Sequence, residues 1–380
     1  MNREYLMSYL ILDQLTHWVL IFPNLHTIRP SSPYRRLSLS HMNRILVFVF
    51  LLSISLISHA QRSTHTVVQK IDGLTMVAPP RPFNSDPMLE IAEVNAGWIA
   101  LVPFGFTRSG ETDVKFGSDR QWWGERTEGI EDCIQRAHKA GVKVMIKPQV
   151  YMHNDWVGHM DFDTEEKWKK WEDSYRNYII TFAKVAADHE AEIFCVGTEF
   201  KLAAKKRETF WRSLIKEIRT FYKGEITYSS NWDGYQTVPF WDDLDYVGLS
   251  AYFPLTNDKT PSVDDLIKKW RDIKKTLKKL SRREGKPILF TEYGYMSIDK
   301  CAWRAWEIEK ERHKLPINEQ AQANALEALY SVFWEESWWA GGFMWKWFPN
   351  GMGHEGYFDK DYTPQGKLAA KTVAKWFGSE

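Results

Sequence analysis

Lys286-Pro287-Ile288-Leu289-Phe290-Thr291-Glu292-Tyr293-Gly294 is the stretch on which the fold turns. Residues 288–291 are apolar or β-branched and run directly into an acid. Such a run, bounded by Pro and Gly, has the pattern of a short strand buried on both faces, as parallel sheets require. Glu292 then stands at the strand's C-terminal end, where parallel barrels and open sheets carry their functional groups. Ala191-Glu192-Ile193-Phe194-Cys195-Val196-Gly197-Thr198-Glu199-Phe200 repeats the design, with Glu199 in the corresponding place.

Outward from these two stretches the alternation continues. Further strands are expected over 71–78, 97–106, 142–150, 226–230, 245–252 and 342–347. Helical spacing lies between them. Asp86-Pro87 caps a helix through Val94, and Thr127 opens one that Gly141 closes. Residues 164–189 carry the stripe Trp168, Trp171, Tyr175, Tyr178, Ile179 and Phe182, and further helices are expected over 207–222, 318–338 and 363–377. A Lys-rich helix runs from Pro261 to about Leu280; its lysines interleave with Ile267, Trp270, Ile273 and Leu277, which makes them a solvated outer face rather than a polyanion site. Eight strands, each followed by a crossover, predict an α/β fold with one domain, a (β/α)8 TIM barrel. No Gly-x-Gly-x-x-Gly follows the first strand, which argues against a dinucleotide-binding open sheet.

The 380 residues carry a net charge of +1, which argues against a nucleic-acid binder that relies on a basic surface. The 19 Trp have two explanations, core packing and flat faces for sugar rings, and composition alone leaves both open. Three cysteines, widely spaced and odd in number, give neither a disulfide framework nor a metal spacing, and Cys195 reads as a buried free thiol. No metal or cofactor is expected. Met42-Asn43-Arg44, an apolar run over 45–57 and Ser58-His59-Ala60 form the pattern of a secretory signal peptide over 42–60. A membrane anchor is the alternative, but the run is short and Ser-interrupted. Residues 1–41 would then precede the true start, residues 61–380 would form the catalytic barrel, and the product would be secreted or periplasmic. Without residues 1–60, which hold five Arg and two acids, the chain is near −2.

The expected strand ends gather a consistent set of side chains. Lys147, Gln149 and His153, with Trp156 beyond, follow the third strand, and Glu199 ends the fourth. Asn231 and Trp232 follow the fifth, Tyr252 the sixth, Glu292 the seventh and Trp345 the eighth. Asp233-Gly234 reads as a turn. The group is aromatic, amide and carboxylate, without a cluster of His and Asp for a metal or a Gly loop for phosphate. Two carboxylates across a barrel mouth suit glycosidic cleavage. One protonates the leaving oxygen while the other attacks the anomeric carbon or activates water.

Ile146-Lys147-Pro148-Gln149, Val196-Gly197-Thr198-Glu199-Phe200, Phe290-Thr291-Glu292-Tyr293-Gly294-Tyr295 and Gly341-Gly342-Phe343-Met344-Trp345-Lys346-Trp347 together resemble glycoside hydrolase family 113. Asp361-Tyr362-Thr363-Pro364-Gln365-Gly366-Lys367 fits the same resemblance, which covers about residues 68–378. The resemblance implies a retaining (β/α)8 hydrolase of β-1,4-mannan, with Glu199 as acid/base and Glu292 as nucleophile. It also implies Tyr252 near the nucleophile and Trp345 as the floor beside the scissile bond. Thr198 stands where many barrels of the wider clan have an Asn that holds the sugar 2-hydroxyl. Thr198, Asn231 and Gln149 are the alternatives for that contact. Hydrolysis of another β-glycan, such as a β-glucan, and a non-catalytic carbohydrate-binding barrel stay open beside the mannan reading. The expected partner is an oligo- or polysaccharide, with no nucleic acid and no membrane once the leader is cleaved.

Overall fold

The apolar runs pair as strands, and those of the central barrel are largely buried on both faces. In chain order they are β1 (Ile71–Met76), β2 (Trp98–Leu101), β3 (Phe104–Arg108), β4 (Lys143–Ile146), β5 (Gln149–His153), β6 (Ile193–Thr198), β7 (Glu225–Asn231), β8 (Val247–Ser250), β9 (Ile288–Tyr293) and β10 (Trp339–Trp347). Eight of them close into a parallel barrel in the order β1-β10-β9-β8-β7-β6-β4-β2, while β3 and β5 pair with each other. This computed structural model describes residues 69–351 and 358–379, so the leader and upstream segment expected over 1–60 lie outside the described residues. The helices are α1 (Met88–Ala92), α2 (Thr127–Lys139), α3 (Glu165–Asp188), α4 (Lys201–Lys206), α5 (Glu208–Phe221), α6 (Val263–Glu284), α7 (Ala305–Glu311), α8 (Glu319–Phe333) and α9 (Leu368–Phe377). The (β/α)8 barrel expected from the sequence is the observed fold.

Two expected strands are broken, and proline breaks both. The stretch 97–106 divides into β2 and β3 around Pro103, and 142–150 divides into β4 and β5 around Pro148. Proline has no N–H to give the ladder, so each strand leaves the barrel sheet at that point. Beyond the prolines the two strands stay partners, Phe104 opposite Gln149 through Arg108 opposite His153. The result is a two-stranded ribbon that continues strands two and three of the barrel past its C-terminal rim.

Helix ends follow their local chemistry. Ser262 caps α6 by accepting Asp265 N–H at 3.2 Å, and Gly285 ends it at φ 66°, a left-handed conformation that suits glycine. The helix therefore extends four residues past the expected Leu280. Thr164 caps α3 and Asn318 caps α8 in the same way. The helix expected over 207–222 is preceded by a separate turn, α4, and α8 ends at Phe333 rather than reaching Trp338. The final helix starts at Leu368, after the turns that follow Thr363. On α6, Lys274 and Lys278 reach Glu336 at 2.7 and 3.0 Å while Leu266, Trp270 and Leu277 are buried, the solvated outer face that was expected.

Apolar packing forms two main shells and a smaller cluster of Met296, Ile298, Ile308 and Tyr362. Ile71, Trp98, Ala100, Met145, Ile193, Leu289, Ala340 and Phe343 fill the barrel interior. A larger shell, including Trp171, Tyr175, Tyr178, Trp211, Trp270 and Phe333, lies between strands and helices. Trp171, Trp211, Trp241, Trp270 and Trp339 are fully buried, so core packing accounts for much of the tryptophan content. The three cysteines are buried free thiols, as Cys195 was expected to be.

Candidate active site

The floor of the site is a layer of hydroxyls above the apolar barrel interior. Ser229 Oγ lies 3.0 Å from Ser250 Oγ and 2.6 Å from Thr291 Oγ1, and all three residues are fully buried. Buried hydroxyls must be partnered, and these partner one another across three adjacent strands.

Glu292 sits at the C-terminal end of β9, on a bulge. Against β8, Gly248 and Ser250 pair with Leu289 and Glu292; against β10, Gly342 and Met344 pair with Phe290 and Tyr293. On both sides β9 carries one residue more than its neighbour, which reverses the alternation of faces. Leu289 belongs to the barrel interior, whereas Phe290 and Tyr293 both belong to the outer shell. Thr291 and Glu292 consequently both turn inward. Strict alternation from Leu289 would have sent Glu292 outward.

Both oxygens of Glu292 are held. Lys147 Nζ contacts Oε2, and Tyr252 Oη donates to Oε1 at 2.6 Å. Lys147 is completely buried and Glu292 nearly so. An ammonium and a carboxylate removed from water together offset part of each other's desolvation cost, and the tyrosine hydroxyl donates to the other carboxylate oxygen. Lys147 Nζ also lies 5.8 Å from the centre of the Trp345 ring. Gly294 lets the chain after Glu292 pass close to β10: a Cβ there would come within 2.4 Å of Trp345 O.

Glu199 follows β6, which also carries an extra residue relative to β7 between Cys195 and Thr198. Its φ of 61° is left-handed, a conformation costing a non-glycine residue about 1–2 kcal/mol. Backbone bonds fix it there, from Glu199 N to Ser229 O at 2.8 Å and from Lys201 N to Glu199 O at 2.7 Å. Trp156 Nε1 donates to Glu199 Oε2 at 2.7 Å. Burial first, and then the neighbouring Glu292, raise the proton affinity of Glu199 above the ordinary carboxylate range; Trp156, Ser250 and Lys147 act in the opposite direction. The two acids are thus within electrostatic reach and differently held. Glu292 is bonded to a cation and a phenol, while Glu199 is half-buried and inclined to keep a proton.

The structure brings together Glu199, Glu292, Lys147, Tyr252 and Trp345 of the residues expected at the site. Gln149 lies on the ribbon directly above Lys147, and its buried Oε1 has no hydrogen-bond partner among the described residues. His153 is exposed at the far end of β5, and Trp156 makes the contact with Glu199 instead. Asn231 donates to Asp233 Oδ1 at 2.8 Å inside the expected turn, where Gly234 N reaches Asn231 O at 2.9 Å. Trp232 stacks on Trp306 at 5.6 Å and 13°. Thr198 is buried and donates to Pro148 O at 3.1 Å, so its hydroxyl is committed to the backbone. The hydroxyl floor, Ser229, Ser250 and Thr291, had no sequence signal beyond small polar residues in strands otherwise apolar.

A closed parallel barrel with two acids, aromatics and an amide at its C-terminal mouth defines a glycosidase-type barrel enzyme. The sequence profile of glycoside hydrolase family 113 matches residues 82–367. The chain belongs to glycoside hydrolase family 113, and the protein is a glycoside hydrolase. Among solved structures it is similar to the family 113 β-mannanase AaManA from Alicyclobacillus acidocaldarius in complex with ManMIm, at 29% identity and TM-score 0.70, over 81% of this chain and 97% of that one. A second family 113 β-1,4-mannanase matches at 25% identity and TM-score 0.69, over 82% and 100% of the two chains. A β-glucuronidase from Ruminococcus gnavus shares the fold, at 14% identity and TM-score 0.55 over 80% of this chain and 49% of that one. A search of curated protein sequences returns no match.

Proposed function

We propose that this glycoside hydrolase cleaves β-1,4-mannan or manno-oligosaccharides by double displacement, with Glu292 as nucleophile and Glu199 as acid/base. The observation that carries the reading is the unequal holding of the two acids. Glu292 is bonded at both oxygens by Lys147 and Tyr252, which suits a carboxylate that must be charged and aimed. Glu199 binds its proton more tightly than an ordinary carboxyl, which suits a donor to a leaving oxygen.

In the first step a Glu292 oxygen attacks the anomeric carbon while Glu199 gives its proton to the departing glycosidic oxygen. Charge leaves Glu292 as the ester forms. In the second step Glu199, now a carboxylate, takes a proton from water as that water attacks the anomeric carbon. The ester bond breaks, and Lys147 and Tyr252 receive the returning charge on Glu292. Trp345, beside the ion pair, is the surface on which the sugar ring would rest. The sugar is carried by the likeness to the two mannanases. Export through a leader over 42–60 belongs to the same proposal and rests on the basic start, the apolar run and Ser58-His59-Ala60. Mature secreted protein would begin at Gln61 on N-terminal sequencing.

Hydrolysis of linear β-1,4-mannan by wild type, lost in Glu199→Gln, supports the reading. Preference for cello-oligosaccharides would keep the machinery and replace the sugar. Absence of hydrolysis on any β-glycan would overturn it.

A further inference from the structure

The β3–β5 ribbon has two unlike faces. One is buried: Val150 and Met152 lie in the outer shell, and a Cβ on Gly105 would meet Val114 and Tyr178. The other face carries Phe104, Phe106 and Arg108 on β3 and Gln149, Tyr151 and His153 on β5. These six share the sequence parity of Trp98, Ala100 and Met145, which fill the barrel interior, and of Lys147, which reaches Glu292. The open face of the ribbon is therefore the inner wall of the barrel carried upward past the rim.

On that wall two exposed aromatic rings adjoin, their planes inclined at 59°. Phe106 and Tyr151 are cross-strand partners, 36% and 52% exposed, with ring centres 6.2 Å apart. Single exposed aromatics need no explanation, but an adjacent pair on a rigid strand is a surface built for contact. The backbone is fixed on both sides, since Phe106 also exchanges hydrogen bonds of 2.8 and 2.9 Å with Lys115. Below the pair, on the same face of β5, Gln149 offers its unpartnered buried oxygen. Arg108 and His153 supply polar groups at the top. Tyr151 lies four residues beyond Lys147, roughly 13 Å along an extended chain, which exceeds the reach of one sugar ring bound at Glu292.

We propose that this wall is a distal glycan subsite, with Phe106 and Tyr151 as a platform for the apolar face of a neutral β-linked pyranose at least one unit removed from the cleaved bond. The inference rests on the hydrolase reading above and adds where a longer chain is held. It makes the enzyme selective for chain length, because binding at the platform is available only to substrates that span it.

The test compares wild type with the double variant Phe106→Ala/Tyr151→Ala on manno-oligosaccharides from two to six units. The expected result is a fall of about tenfold in the ratio of kcat/KM on the longest to that on the shortest substrate cleaved, entering through KM. Tyr151→Phe should retain the wild-type ratio. An unchanged ratio in the double variant, or an equal loss at every length, would overturn the proposal. If wild type cleaves no mannan, the sugar reading has failed, and the platform is then read by binding alone. Affinity electrophoresis in gels of β-mannan, β-glucan or xylan should retard wild type and release the double variant. Equal retardation of both, or none of wild type in any gel, would overturn the platform.

Discussion

The Lys147 ammonium, wholly buried on the strand-three side of the barrel, contacts Oε2 of Glu292 from strand seven. The ion pair crosses the barrel mouth, and the proposed nucleophile role of Glu292 rests on it. Removing one member of a buried pair leaves the other charge without its partner, at a cost of about 3–5 kcal/mol. Lys147→Met should therefore lower unfolding stability by that order and abolish most turnover. Adding Glu292→Gln should recover part of the stability and none of the activity. A Lys147→Met enzyme with wild-type stability in urea would show that the pair is not formed.

Trp156 supplies a pH prediction. Its indole N–H stabilises the ionised form of Glu199, so its removal raises an already elevated proton affinity. An acid that must be protonated loses activity on the alkaline side. In Trp156→Phe the alkaline limb of kcat/KM should move to higher pH, with the acid limb in place. Movement to lower pH would contradict the role given to Glu199.

The strand ends were legible in the sequence, and the aim of the side chains on them was not. Apolar runs ending in Glu199 and Glu292 are a local pattern, and eight such strands leave few architectures. Whether Glu292 points inward depends on the bulge in β9, a pairing property of three strands together. Lys147 was expected at the mouth of the third strand, but its ion-pair partner lies 145 residues away, which spacing does not reveal. The breaks at Pro103 and Pro148 were visible as residues, but that the two pieces beyond them pair with each other is a tertiary fact. His153 and Asn231 sit at strand ends as expected, yet one is exposed and the other bonded within its turn, and spacing alone could not separate them from Gln149.

Of the three contenders for the sugar hydroxyl, Gln149 is the one whose side-chain oxygen, though buried, has no hydrogen-bond partner among the described residues. Gln149→Leu should reduce kcat/KM by about tenfold or more, the effect of losing a hydrogen bond in a closed site. Asn231→Ala should cost less than about threefold, because that amide is already used by Asp233. The reverse order in steady-state kinetics would return Asn231 to the substrate.

Asp72, at the base of β1, is raised by burial to about 7 from 3.8, and its Oδ1 has no hydrogen-bond partner among the described residues. The native state then binds more protons than the unfolded chain between those values, so this residue makes stability fall as pH rises from about 4 to about 7, and level off above. Asp72→Asn removes the linkage. It should raise the melting temperature most at pH 8, corresponding to roughly 1–4 kcal/mol, and by a vanishing amount near pH 4. A difference independent of pH would contradict a buried proton at Asp72.

Azide in place of water tests the central claim directly. With an activated aryl β-mannoside or manno-oligosaccharide, Glu199→Ala should form the covalent intermediate on Glu292 and yield a β-glycosyl azide. Glu292→Ala should accept azide in place of the missing carboxylate and yield the α-glycosyl azide. Product configuration read by NMR distinguishes them. The predicted pair of anomers fixes both roles; the opposite pair, or no azide adduct from either variant, would contradict double displacement through Glu292.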